Sequence, residues 1–260
     1  PFTDIDAHDA GLGLAWTGRS GFVGAAARDV RNAYGVPSSI AGLTLPGAHV
    51  GGVYVVLRRS TARAEASWRR DTTKAVRSVD LSVQGVRFAQ DEQERGGFVG
   101  TRFGQLAASG DLVMRYRHRA GLPRGAEGQG AVGVWGQWRD FRATGSFTGT
   151  RPAEVLAGAL YGFEEVRVGR VALSLGGRVD RVRIAPLDST PTRLLSDVRT
   201  REFAALSGAV ALAVDVRNGA RVGVSVARGF RPPAVEELFS AGPHLATYAY
   251  EIGNPALRPE

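Results

Sequence analysis

Gly229-Phe230-Arg231-Pro232-Pro233-Ala234-Val235-Glu236-Glu237-Leu238-Phe239, then Gly242-Pro243-His244, then Glu251-Ile252-Gly253-Asn254-Pro255-Ala256-Leu257-Arg258-Pro259-Glu260 is the stretch whose reading decides the fold. A strand runs into it. Val222, Val224 and Val226 alternate with Arg221, Gly223 and Ser225, the period of a half-buried strand. Pro232 and Pro233 stop that strand, because neither offers a backbone N–H to a ladder. A proline early, acids in the next turn and Gly242-Pro243 beyond predict a short helix over 234–240. Asn254-Pro255 and Arg258-Pro259 are turn signals.

Upstream the same period of two recurs in pairs. Leu12, Leu14 and Trp16 alternate with small residues, turn at Gly18–Gly21 and return through Phe22–Arg31. Between Val53 and Arg69, Ala62, Ala64, Ala66 and Trp68 share one face, and Arg63, Glu65, Ser67 and Arg69 the other. The return strand, after a polar turn over 70–74, carries Val79, Leu81 and Val83. Asp91–Gly97 reads as a charged loop tip. A third hairpin runs through Leu112, Met114 and Tyr116, turns over His118–Gly128, and climbs through Val132, Val134, Gly136 and Trp138. A fourth uses Val155–Val166 and Arg170–Ile184. A fifth carries Leu206, Val210, Leu212 and Val214 and turns at Asn218-Gly219.

The pattern predicts about ten long antiparallel strands with alternating short and long connections. Short turns recur at roughly fifty residues, as in a transmembrane up-and-down barrel. Soluble-sandwich strands are shorter, about five or six residues. Trp16, Trp68 and Trp138 fall near predicted strand ends, where an interface girdle would place them; a buried core position explains each one equally well. Val171, Leu173, Leu175 and Val179 should then point out of the curved sheet, and Ser174, Arg178 and Asp180 into its concave side.

Composition agrees. The 260 residues contain no cysteine, hence no disulfide framework and no thiolate metal site. No apolar run approaches the roughly 20 residues of a membrane helix; Ala204–Val214 is short and broken by Ser207 and Gly208. Lys and Arg total 33 against 25 Asp and Glu. The arginines are scattered singly through strands and turns, unlike a nucleic-acid-binding run, so no nucleic-acid partner is expected.

The ordered string Arg-x-Pro, Glu-Leu-Phe, Gly-Pro-His and Gly-Asn-Pro-x-Leu-x-Pro-Glu resembles a segment of TonB-dependent outer-membrane receptors, closest to the subgroup that includes zinc-type receptors. Arg231, Pro232, Glu237, Leu238, Gly253, Asn254, Pro255, Pro259 and Glu260 carry the motif. Weaker echoes are Asn32–Pro37, Val99–Phe103 and Phe163–Ile184. The resemblance implies an all-β, antiparallel up-and-down transmembrane barrel. About ten of its strands, less than half of a barrel of about 22, are expected here as an open sheet. It also implies an upstream plug domain and export signal, further strands downstream, a place in the Gram-negative outer membrane among its lipids, and uptake of a scarce nutrient. That nutrient is a small molecule: a metal, a metal chelate or similar. The TonB protein, engaging a segment before the plug, would supply the energy.

Chemistry-bearing constellations are few. Gly128-Gln-Gly-Ala-Val-Gly133 matches G-x-G-x-x-G but lacks the strand before and helix after that a dinucleotide site needs. Zinc-type receptors often carry a His- and acid-rich loop here, whereas 38–52 holds only His49 and no acid. His244 and Glu251 are the candidate substrate-binding pair on an external loop, since imidazole and carboxylate suit zinc; the simpler reading is a loop histidine bonded to its own backbone. No metal site and no cofactor is expected. Glu164 and Glu165 point to opposite strand faces, and Glu236 and Glu237 complement a helix N-terminus. His118 lies between two arginines, a poor setting for a general base. No catalytic residue emerges, and the chain reads as no enzyme. A passive porin, an outer-membrane barrel enzyme and a soluble basic β-protein are the alternatives.

Overall fold

The computed structural model describes residues 4–36, 39–40, 43–44, 52–70, 75–94, 96–145, 148–244 and 249–260. The strands are β1 (Ile5–Gly18), β2 (Gly21–Val36), the two-residue β3 (Ser39–Ile40) and β4 (Leu43–Thr44), β5 (Val53–Arg69), β6 (Val76–Glu94), β7 (Val99–His118), β8 (Ala126–Gly145), β9 (Ala153–Val168), β10 (Val171–Pro186), β11 (Arg201–Asp215) and β12 (Arg221–Arg228). A short helix α1 (Val235–Phe239) and the strands β13 (Ala241–His244) and β14 (Ala249–Ile252) follow. Ten of these form one sheet in the order β1-β2-β5-β6-β7-β8-β9-β10-β11-β12, with β1 and β12 at its unjoined edges. Each neighbour is antiparallel to the next, so the chain goes up and down as its alternation predicts.

Register sorts the side chains into two faces. Leu81, Leu112, Val134, Leu160, Val179 and Leu206 are successive cross-strand partners from β6 to β11. All stand exposed, Leu160 at 64% and Leu206 at 66%. Leu12, Leu14 and Trp16 on β1 and Val222, Val224 and Val226 on β12 extend this outer apolar face to both edges. Val171, Leu173, Leu175 and Val179 lie on it, as expected.

The opposite face carries the polar networks. Asp80 accepts hydrogen bonds from Ser67 (2.6 Å) and Ser78 (2.9 Å) and pairs with Arg115. Arg28 Nε donates to Asp9 at 2.8 Å, and Tyr161 donates its hydroxyl proton to Asp111 at 2.7 Å. Such a division is that of a barrel wall with lipid outside and a wet interior.

Outward charges bracket the apolar band. On β8 the row of Glu164 crosses at Gly130, and Asp140 lies higher up. At about 3.3 Å rise that interval is roughly 33 Å of strand, or about 25 Å of height at a tilt of about 40°. This is the height of an outer-membrane hydrocarbon band. Trp16 and Trp68 stand near the short-turn ends of β1 and β5. Trp138 is mid-strand, two residues below Asp140, where the band ends rather than where the strand ends.

Strand ends differ from expectation at β8, which begins at Ala126 inside the turn expected over His118–Gly128, and most at the end of β6. Asp91–Glu94 continue β6 instead of forming a loop tip, because Val53–Val56 of β5 pair with them on one side and β7 on the other. Gly96 and Gly97, both with positive φ, then close a tight connection to β7. Strand length therefore supplies much of the projection that the sequence pattern assigns to long loops. At the opposite end Gly21 (φ 143°) makes the β1–β2 turn, and a Cβ there would run into the Ser67 carbonyl of β5.

Candidate functional site

After β12 the chain turns back onto the inner face. Pro232 and Pro233 prevent any further ladder, and α1 begins where predicted. Val235, Leu238 and Phe239 of α1 are fully buried. They join Val155 and Ala157 of β9, Val182 and Ile184 of β10 and Phe203 of β11 in the one hydrophobic core cluster among the described residues. An apolar stripe on a short helix needs such a partner, because a helix this short has little stability of its own.

The motif residues lock this returned segment. Arg231 reaches both oxygens of Glu237 (3.1 and 3.2 Å) and both of Glu260 (3.2 and 2.9 Å). The backbones of Arg231 and Glu260 exchange two hydrogen bonds of 3.0 Å. Glu237 also accepts from the Ala234 backbone N–H at 2.7 Å, half of a capping box; Ala234 has no side-chain acceptor to return the bond. The Ala234 N–H and the Arg231 guanidinium hold the Glu237 carboxyl below the usual range, and Arg231 does the same to Glu260. The two carboxylates raise the Arg231 guanidinium in turn. Asn254 closes its turn by accepting from Ala256 N–H at 2.9 Å. Gly253 has no room for a side chain: a Cβ would lie 2.7 Å from the Leu238 carbonyl carbon.

Between the returned segment and the wall lies a cleft of about 800 Å³. One side is apolar: Phe230, Pro232, Pro233, Val235, Val182 and Ile184. The other holds Trp135, Gln137, Arg139, Tyr161, Arg178 and Asp180. Arg178 sits 5.4 Å over the Trp135 ring and 5.7 Å from the Tyr161 ring centre, and its Nε donates to Asp180 at 2.9 Å. Two ring faces and one carboxylate thus fix this guanidinium.

The sequence matches the profile of the "TonB dependent receptor-like, beta-barrel" family over residues 3–260. The chain belongs to that family. By sequence no curated protein matches it. Among solved structures of the same fold is the Serratia marcescens hemophore receptor HasR, in complex with its hemophore HasA and heme. It has 16% identity and a TM-score of 0.70, over 97% of this chain and 40% of that one. The copper transporter OprC has 13% identity and a TM-score of 0.70, over 98% and 41%. BauA, the ferric preacinetobactin receptor of Acinetobacter baumannii, has 13% identity and a TM-score of 0.63, over 98% and 43%. The chain thus spans about two fifths of the solved receptors it matches. The match is to the family as a whole and does not resolve the zinc-type subgroup.

In this receptor barrel the expected site residues fall as follows. His244 ends β13 and Glu251 lies in β14, on one hairpin whose register pairs Gly242 with Glu251 and His244 with Ala249. Glu251 is exposed; the side chain of His244 and all of His49 lie outside the described residues. No cluster of three metal-ligating side chains occurs among the described residues. Arg231, Pro232, Glu237, Leu238, Gly253, Asn254, Pro255, Pro259 and Glu260 belong to the returned segment, where the bonds of Arg231, Glu237 and Glu260 and the close approach at Gly253 hold it.

Gly128, Gly130 and Gly133 have a role that sequence reasoning missed. His118 and Tyr116 cross β8 over Gly128 and Gly130 to reach Glu164, at 2.7 and 2.6 Å. On the other face Tyr161 lies over Gly133. The glycines are saddles for neighbouring rings, and only the register reveals it. The cleft residues Trp135, Gln137 and Arg139 were also missed. Their odd positions on β8 put them on the inner face, which the period of two alone would have shown.

Proposed function

We propose that the chain forms part of the wall of an outer-membrane receptor that imports a scarce small nutrient, a metal, metal chelate or similar, with energy from the TonB protein. The observation that carries this reading is the two-faced sheet. An apolar outer band about 25 Å tall backs a polar inner face, on which the returned segment 230–257 is seated. The named neighbours are a hemophore and heme receptor, a copper transporter and a ferric preacinetobactin receptor. Their different cargoes fit a shared transport role with a variable ligand. His244 and Glu251 on the β13–β14 hairpin are the candidate cargo contacts of this reading.

The test is growth and uptake. A strain lacking the gene is compared with its parent on limiting heme, ferric chelate, copper or zinc, each with and without TonB. Uptake of one cargo should depend on both genes. Uptake that persists without TonB would instead assign a passive pore.

A further inference from the structure

Several arginines on the inner wall are matched to carboxylates. Arg28 faces Asp9, Arg63 Glu65, Arg115 Asp80, Arg167 Asp215, Arg178 Asp180 and Arg221 Asp215. Arg139, which lines the cleft, has no such partner among the described residues. Its cross-strand neighbours are Ala107 on β7 and Val155 on β9, neither of which can accept a hydrogen bond through its side chain. Its neighbours two positions along β8 are Gln137 and Phe141. Its Nε is buried without an acceptor. A buried charged donor left unmatched is costly, so a position of this kind points to an acceptor that arrives from outside.

Arg139 lines the cleft beside Trp135 and opposite Phe230, Pro232 and Val235. The carboxylate that lines the cleft, Asp180, is already engaged by Arg178. We infer that Arg139 is an anion-binding residue, and that the cleft takes an organic carboxylate whose apolar or aromatic body lies against Trp135 and the Phe230–Val235 wall. The carboxylate would accept from the Arg139 guanidinium, a charge-assisted bond. This deepens the transport reading by giving one side of the inner wall a chemical preference, and it rests on that reading only for the ligand's biological origin.

The probe is 4-fluorobenzoate, followed by 19F line broadening with the full-length protein in detergent micelles, against empty micelles. The neutral isostere 4-fluorobenzyl alcohol controls for simple partition. The wild type should broaden the benzoate and not the alcohol. R139Q should weaken benzoate binding about tenfold to a hundredfold, the span of one charge-assisted hydrogen bond. R63Q, at an inner arginine outside the cleft, should leave it unchanged. Circular dichroism of R139Q should match wild type, which separates lost binding from lost folding; R139K serves as a second variant and should retain part of the binding. Equal binding by R139Q and wild type, no binding by wild type, or binding of the alcohol as tight as of benzoate each overturns the inference. TonB-dependent uptake alongside any of those results would leave the transport reading standing.

Discussion

Leu160 is the position where membrane orientation can be tested most directly. It is 64% exposed, in the middle of the outer row, flanked by Val134 and Val179. In plain water an exposed Leu→Arg change is close to neutral, within about 0.5 kcal/mol. In a bilayer the same arginine at mid-depth costs about 2–4 kcal/mol. At about 1.4 kcal/mol per decade, Leu160→Arg should lower the folding equilibrium constant by roughly thirtyfold to a thousandfold. Ser109→Arg is the matched control: Ser109 is on the inner face between Gln84 and Gln137. Both variants would be unfolded in guanidinium with phospholipid vesicles, followed by tryptophan fluorescence. The control should stay near wild type while Leu160→Arg loses stability. If the two cost the same, the outer face does not meet lipid and the membrane reading fails.

Three further outcomes follow from the returned segment and the sheet. Gly253→Ala places a methyl 2.8 Å from both the Leu238 carbonyl oxygen and the Phe239 nitrogen, where no flexible group can yield; an overpacking cost of about 1–3 kcal/mol should appear as faster amide exchange across 230–257. The Glu237 and Glu260 carboxyls titrate below their ordinary range when folded, so their contribution is complete above the ordinary carboxylate pKa and is lost as pH falls through the folded values. Acid should thus increase protease cutting within 230–260, and Arg231→Gln should weaken that pH dependence, leaving the part that the Ala234 N–H imposes on Glu237; an unchanged acid response in the variant would disprove the clamp. Residues 1–260 expressed alone should need detergent, since β1 and β12 present open edges and the outer valines and leucines lack cover; a soluble monomer in plain buffer would contradict this.

Strands were legible because alternation is local. Val222, Val224 and Val226 announce a face whatever lies beside them. Strand ends were not, because a charged run such as Asp91–Glu94 becomes strand only when Val53–Val56 and β7 offer their backbones. The cleft was half legible. Parity places Arg178 and Asp180 on the inner face, but that Arg178 meets Tyr161 directly and Trp135 one strand further is a matter of register. The saddle glycines were hidden for the same reason: a G-x-G-x-x-G spacing says nothing of the rings on β7 and β9 that cross it.

The motif that identifies the family is also the part least suited to choosing a cargo. Arg231 spends its guanidinium on Glu237 and Glu260, Glu237 caps α1, Asn254 closes its own turn, and Gly253 makes way for Leu238. Their hydrogen-bonding capacity is used within the segment. A chemical preference has to come from side chains with capacity left over, and in the cleft Arg139, with its unmatched Nε, is one. The segment contributes Phe230, Pro232 and Val235 to the cleft's apolar side, while β8 supplies Trp135, Gln137 and Arg139 to the polar side beside Tyr161, Arg178 and Asp180. Swapping the inner-face residues of β8 between receptors should therefore move ligand preference, and swapping Arg231–Glu237 should not. A transfer of preference with the motif, rather than with β8, would reverse this assignment.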